Sequence, residues 1–189
     1  MKKLFFLLGV IFILVSCNSD DNNKNVIPNL STGTLSVNGA NHTLLHGYIY
    51  LPISDNPEYD PRRFNIVLSD GDISTSGSVG DNVHEIVDLG LYTSQANPGS
   101  VENTTYDLYF PSTSDFNDPF IDNGSIATNV VTSNGMFITG DELDSDDMDS
   151  GHVNISETNG IYTISFAFSN AENSATGTFT GKLTPLMVN

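Results

Sequence analysis

The densest group of potential metal ligands is the acidic segment at residues 140–151, which has six acidic side chains in twelve positions. Ca²⁺ takes six to eight oxygen ligands, so carboxylates this close together suit it. The order is not that of an EF-hand, because counting from Asp144 the fifth position is Met148 and no glycine follows at the sixth. Two interpretations stay open, a calcium site and a solvated hairpin loop, and we favour the loop because charge runs are usually solvated. The candidate calcium ligands are Asp141, Asp144, Asp146, Asp147 and Asp149.

The run of residues 84–88, His-Glu-Ile-Val-Asp, contains the first half of a zinc-protease motif. That motif needs a second histidine four residues after the first, with both on one face of a helix. Here the matching position is Asp88, and the run alternates in the manner of a strand. We therefore predict no metal site there. The remaining histidines are assigned to hairpins or loops; they are His42, His46 and His152.

No catalytic signature is present. The chain has no Gly-x-Ser-x-Gly elbow, no phosphate-binding loop and no cysteine free to act as a nucleophile. Paired carboxylates for glycoside hydrolysis are set by folding and not by spacing along the chain. With 23 acidic residues no pair stands out, so we assign no catalytic residue.

Aromatic platforms for sugar binding are conceivable. The candidates are Tyr48, Tyr50, Tyr59, Tyr92 and Tyr109. The chain has no Trp, which offers the largest stacking face. Because tyrosines in alternating strands are mostly half-buried packing residues, Tyr59, in a proline-bounded loop, is the best exposed candidate.

The elements that must position these residues are strands. Apolar and polar residues alternate in short runs, which is the period of a half-buried strand, and no helical period occurs after residue 30. Asn38-Gly39 and Asn159-Gly160 predict tight hairpin turns, because both residue types tolerate positive φ. The pattern predicts an all-β fold, an antiparallel β-sandwich of about nine or ten strands, with a β-barrel as the alternative. The predicted strands are residues 34–37, 41–51, 64–68, 86–92, 106–110, 125–131, 135–139, 153–156, 162–168 and 178–183.

The first sixteen residues predict a secretory signal peptide. Lys2 and Lys3 precede an apolar run at residues 4–15, and Ser16 offers a small residue before the cleavage point. The run is shorter than the roughly 20 residues of a membrane-spanning helix. The next residue, Cys17, is the only cysteine in the chain, so the following domain has no internal disulfide. The thiol either has a function or is incidental. In the second case the segment is a plain signal peptide.

The sequence Leu-Val-Ser-Cys at residues 14–17 resembles the lipobox of bacterial lipoproteins. The resemblance implies that the Cys17 thiol receives a diacylglyceryl group, that the chain is cleaved just before it, and that the new amino group is acylated. Several acyl chains on one residue would give stable membrane anchoring, whereas one chain binds only marginally.

Residues 17–30 predict a flexible tether, since they are polar and show no apolar period. The acids that follow the cysteine resemble the signal of Bacteroidota-type surface lipoproteins, and residues 34–39 and 177–183 resemble the opening and closing strands of their small β-domains. The resemblance implies a single domain at residues 31–189 on the outer face of the outer membrane. Attachment facing the periplasm is the alternative.

Charge limits the partners. The precursor has a net charge of −17, and loss of Lys2 and Lys3 with the signal peptide makes it −19. Such a domain repels phosphate backbones and anionic lipids, so we predict no nucleic-acid partner and a membrane association through lipid alone. We predict a monomeric, non-catalytic binding or accessory module for a glycan, a protein or calcium, and no other cofactor. The alternatives are a carboxylate-dependent glycoside hydrolase and a calcium-dependent adhesion module.

Overall fold

The computed structural model describes residues 31–51, 60–96, 100–111 and 114–187. The predicted signal peptide, Cys17, the tether and Tyr59 lie outside the described residues. The strands are β1 (Thr32–Val37), β2 (Ala40–Leu44), β3 (His46–Tyr50), β4 (Arg63–Ser69), β5 (Ile86–Tyr92), β6 (Thr105–Leu108), β7 (Phe120–Ser133), β8 (Met136–Asp144), β9 (Ser150–Thr158), β10 (Ile161–Ser169), β11 (Ser174–Gly181) and β12 (Thr184–Pro185).

The all-β prediction is confirmed. In the described part of the chain the only helical element is one 3-10 turn, Ser145–Asp147. No helix among these residues is long and apolar enough to cross a membrane. The strands form one strongly curled sheet, a half-barrel, in the order β12-β3-β4-β5-β7-β6-β9-β10-β11-β1-β2, with β8 paired to β7.

The sheet is mixed, so the predicted antiparallel sandwich is not confirmed. Most neighbours are antiparallel, but β6 pairs with β7 and β12 pairs with β3 in parallel. The strand number also exceeds the prediction. The segment predicted as one strand at 41–51 is divided at Leu45, and the chain adds the short closing strand β12.

Both predicted Asn-Gly turns are confirmed. Asn38 and Gly39 have φ values of 49° and 85°, and Asn159 and Gly160 have 55° and 76°. A turn with positive φ at both central residues matches the right-handed twist of the strands that it joins. A third turn of this kind joins β7 to β8 at residues 134–135 and was not predicted.

The edge strand β2 is followed in the chain by β3, which lies next to the opposite edge strand, β12. Strand β2 pairs with β1 at one edge, and β3 pairs with β4 near the other. Between them, the backbone N–H of Leu45 donates to the carbonyl of Ser69 at 2.8 Å. This direct passage from β2 to β3 holds the edges near each other and curls the sheet around its core.

The core fills the inside of the curl. Alternating apolar residues of β4, β5 and β10 are buried there: Phe64, Ile66, Leu68, Val87, Leu89, Leu91, Ile164, Phe166 and Phe168. A smaller cluster covers part of the opposite face and consists of Tyr48, Val67, Ile73, Val83 and Leu186. The rest of that opposite face, which we call the outer face, is where polar side chains collect.

Candidate functional site

A polar cleft of about 370 Å³ opens on the outer face across β4, β5, β7 and β8. We call it the outer-face cleft. Its lining residues are Arg63, Asn65, Asp88, Asn123, Gly124, Ser125 and Asp144. Its volume is in the range of small-molecule sites, but its lining is polar, so it suits a ligand that forms hydrogen bonds.

Strand register brings the two acids of the cleft together. Asp88 on β5 is the partner of Ser125 on β7, and Ser125 is the partner of Asp144 on β8. Directly opposite residues in an antiparallel pair project from the same face. The two carboxylates therefore share a face with one strand between them, about 10 Å apart at their Cα atoms by standard strand spacing.

A second row beside the first supplies amides. Gly90 on β5 is paired with Asn65 on one side and Asn123 on the other. A Cβ at position 90 would collide with the side-chain oxygen of Asn123. Glycine at this position thus leaves room for the Asn123 amide to lie over β5 and line the cleft.

Asp88 has an unusual electrostatic environment. Burial raises the pKa of the Asp88 carboxyl, and the hydrogen bond from Asn65 and the positive charge of Arg63 offset only part of this rise. The Asn65 bond, from Nδ2 to Asp88 Oδ1, is 3.0 Å long. A carboxyl with a raised pKa keeps its proton to higher pH, so Asp88 can donate as well as accept hydrogen bonds over a wider range.

The aromatic residues lie beside the cleft and not in it. Among the described residues that line it, none is aromatic. Tyr92 is the strand partner of Arg63 and stacks on Phe120 at 4.7 Å, next to Tyr109 and Phe116. The aromatic cluster borders the cleft because Tyr92 is paired with Arg63, which lines the cleft.

Buried Arg62 organises the aromatic cluster. Its guanidinium carbon lies 4.4 Å from the centre of the Phe116 ring and 5.5 Å from that of Tyr92, and Nη1 donates to the Phe116 carbonyl at 2.9 Å. On its other side, Nη2 donates to Asp60 Oδ2 at 2.6 Å. The hydrogen bond from Arg62 lowers the pKa of the Asp60 carboxyl despite its partial burial.

The tyrosines predicted as sugar platforms have different roles. Tyr48 is buried, and its hydroxyl accepts a hydrogen bond from the Ile73 backbone at 2.8 Å. Tyr50 packs on the smaller cluster. Tyr92 and Tyr109 are half-buried in the aromatic cluster and are the two nearest the cleft.

The acidic segment is mostly regular structure. Its first part completes β8, where Asp141 accepts a hydrogen bond of 2.7 Å from Asn129. Asp146 and Asp147 lie in the 3-10 turn, and Asp144, at the end of β8, lines the outer-face cleft. In the described chain these aspartates form no group with three ligand atoms close together. Calcium binding by Asp141, Asp144, Asp146, Asp147 and Asp149 stays a prediction.

A different cluster adds distant partners to His84 and Glu85, where the sequence predicted no metal site. Asp70 follows β4, and His84 and Glu85 precede β5; their ligand atoms all lie within 4.8 Å of one another. Glu85 Oε1 lies 2.9 Å from Nδ1 of His42 on β2. We call these four residues the edge cluster. The sequence showed only the adjacent pair His84 and Glu85. Asp70 lies 14 residues before His84, and His42 lies 43 residues before Glu85.

The pKa values of the two acids of the edge cluster shift in opposite directions. Burial raises the pKa of Glu85, and the adjacent Asp70 raises it further. Burial acts in the same direction on Asp70, but hydrogen bonds from Glu85 and from the backbone of Glu85 and His84 outweigh it, so the pKa of Asp70 is lowered. Asp70 therefore loses its proton at a lower pH than Glu85 does.

Comparison of the chain with protein-family models, curated proteins and solved structures finds no match.

Proposed function

We propose that the protein is a lipid-anchored, non-catalytic outer-membrane lipoprotein that binds a polyhydroxylated ligand, a glycan, in the outer-face cleft. Cys17 would carry the lipid, and residues 18–30 would hold the domain clear of the outer surface of the cell. The observation that carries the binding role is the convergence of amide, hydroxyl, guanidinium and carboxyl groups in one cleft of about 370 Å³.

The position of the cleft supports a binding role. Strands β4, β5 and β7 lie next to one another inside the sheet, so their backbones are fixed by neighbours. Side chains on such strands are held more firmly than side chains on loops. In this proposal the curled sheet acts as a two-layered, sandwich-like scaffold, with the core between its halves and the ligand on the outer face.

The chemistry of the cleft points to sugars. Asn65, Asn123 and Ser125 both donate and accept hydrogen bonds, as sugar hydroxyls do. Arg63 is the only basic residue in the lining, and its nearest charged contact, Asp122, is 3.9 Å away. With Asp88 and Asp144 beside it, the cleft favours neutral or cationic ligands over acidic ones.

A glycan array with the full chain in detergent tests the proposal, followed by calorimetry on the glycans bound. Asn123→Ala and Gly90→Ala should each weaken binding at least tenfold, because one removes the amide and the other displaces it. Asp146→Asn is the matched control, since it is exposed and outside the cleft. Equal binding by the wild type and both cleft variants would refute the assignment.

A glycoside hydrolase is the second candidate, favoured by Asp88 and Asp144 in one cleft. Inverting glycosidases place an acid with a raised pKa opposite a base, with the carboxyl groups roughly 6.5–9.5 Å apart. Asp88, with its raised pKa, fits the acid, and Asp144 fits the base. If the bound glycan is cleaved by the wild type, and Asp88→Asn binds it without cleavage, the protein is an enzyme. Bound glycan that stays intact excludes this candidate.

A further inference from the structure

We infer that Asp70, His84 and Glu85 of the edge cluster bind one divalent transition metal ion of the Zn²⁺ type, which fastens the two edges of the curled sheet. This site is separate from the outer-face cleft. It depends on a different set of residues, so a test of the metal site is independent of a test of the proposed function.

Asp70 is already held in the orientation of a ligand. Its Oδ1 accepts hydrogen bonds from the backbone N–H groups of His84, at 2.8 Å, and Glu85, at 3.0 Å. The second oxygen, Oδ2, lies 3.3 Å from Nδ1 of His84. Two ligands on one tetrahedral zinc ion are about 3.4 Å apart at normal bond lengths, so this pair has the right spacing without movement.

Glu85 is also fixed, through His42. The His42 ring nitrogen Nδ1 lies 2.9 Å from Glu85 Oε1, and both side chains are largely buried, 19% and 13% exposed. This bond uses Oε1 of Glu85. A bound ion would replace the hydrogen bond that the Glu85 side chain shares with Asp70. Residues that hydrogen-bond a metal ligand in this way fix its direction and strengthen binding. His42 is therefore a positioning residue.

The remaining adjustment is small. The three ligand atoms lie within 4.8 Å of one another, and a bound ion would draw the widest pair to about 3.4 Å. The His84 side chain is 61% exposed, so it can adjust its position as the ion binds. The same exposure gives the ion a path from solvent.

The ligand types decide the metal. One imidazole nitrogen with two carboxylate oxygens suits Zn²⁺ and its neighbours in the first transition row. Ca²⁺ and Mg²⁺ prefer sites made of oxygen alone. We therefore expect Zn²⁺ to bind in preference to both, with water completing the coordination.

The location gives the ion a structural role. His42 belongs to β2, the last strand at one edge of the sheet, whereas Asp70 and Glu85 adjoin β4 and β5 near the opposite edge. Through the Glu85–His42 bond the metal would connect segments 43 residues apart. An ion that binds the folded chain and not the unfolded chain stabilises the fold by mass action.

Calorimetry and elemental analysis of the untagged full chain, titrated with ZnCl₂ in detergent, test the inference. We expect one Zn²⁺ per chain, a micromolar Kd and a melting temperature raised by several degrees, reversed by chelator. His84→Ala should weaken binding at least tenfold, and His42→Ala by about 10–100-fold. His152→Ala, on an exposed histidine of β9, is the matched control and should bind as the wild type does.

Three results would overturn the inference: no zinc bound, an unchanged affinity in His84→Ala, or an equal loss in His152→Ala. Ca²⁺ binding at this site with an affinity equal to that of Zn²⁺ would also overturn it. Circular dichroism of each variant separates loss of the site from loss of the fold. If His84→Ala does not fold, Glu85→Gln replaces it and should show the same tenfold loss.

Discussion

Asn65 Nδ2 donates a hydrogen bond of 3.0 Å to Asp88 Oδ1 across β4 and β5. This pair is the centre of the outer-face cleft, and it connects an amide to a carboxyl that burial makes harder to ionise. An isosteric amide at position 88 would keep the hydrogen bond and remove the ionisation, which makes the pair easy to test.

Asp88→Asn should be more stable than the wild type at neutral pH. The pKa of Asp88 is raised in the folded state, so the folded protein binds this proton more tightly than the unfolded chain does. Ionised Asp88 therefore destabilises the fold above its raised pKa and has no such effect below the ordinary aspartate pKa. Urea unfolding at several pH values should show an advantage of the Asn variant that shrinks as pH falls toward 4. An advantage that grows on acidification would contradict this prediction.

Asp60→Asn should destabilise the domain by about 1.5–3 kcal/mol, the usual value of a hydrogen bond to a charged group. Arg62 is 7% exposed and would lose its carboxylate while still packed against Phe116. Arg63→Met is the control, because its contact with Asp122 is 3.9 Å long and both side chains are more than a third exposed. That change should cost under about 1 kcal/mol.

The pH dependence of this pair has the opposite sign to that of Asp88. The hydrogen bond from Arg62 lowers the pKa of Asp60 in the folded state, although burial opposes it. Its stabilisation is therefore complete above the ordinary aspartate pKa and is lost as pH falls through the lowered value. Urea unfolding of the wild type and Asp60→Asn should converge at acidic pH. A difference that stays constant down to strong acid would argue against the ion pair.

Asn38→Ala should cost about 2 kcal/mol more than Asn159→Ala. Both residues have φ near 50° in equivalent turns, so the backbone penalty is shared. Only Asn38 also connects to the start of β11, accepting from the Ser174 backbone at 2.8 Å and donating to Asn173 at 3.1 Å. Each such bond contributes roughly 1 kcal/mol. Denaturant midpoints of the two variants measure the difference, and equal midpoints would show that the bridge contributes nothing.

Cys17→Ala should release the protein from membranes. The predicted anchor is lipid on the Cys17 thiol, and alanine has no sulfur to carry it. In fractionated cells the variant should leave the membrane pellet, and it should not incorporate labelled fatty acid. A variant that still pellets with membranes would refute the lipid anchor.

Protease added to intact cells distinguishes the outer face, where the wild type is degraded, from the periplasmic face.

Much of the fold follows from local sequence. Alternation on β4, β5 and β10 predicted which residues are buried, because a strand turns successive side chains to opposite faces. The turns at residues 38–39 and 159–160 were predicted because asparagine and glycine adopt positive φ at low cost. These rules involve only neighbouring residues, and they hold whatever the strand meets in the folded protein.

The features that the sequence did not predict depend on distant contacts. No sequence signal near Leu45 predicts that the chain passes there from one edge of the sheet toward the other. The parallel pairing of β6 with β7 also has no local signal. The acidic segment was interpreted from its charge alone, although part of it pairs with β7 and supplies Asp144 to the cleft.

The sequence by itself determined that the chain forms strands, where most of them run, which faces are apolar, and how strongly acidic the domain is. Those properties depend on residue type and local period. Only the tertiary structure decided that Asp88 and Asp144 share a cleft and that His42 contacts Glu85, 43 residues away. The reason is physical: strand order and register bring side chains together across the sheet, and both are set by how the whole chain buries its core.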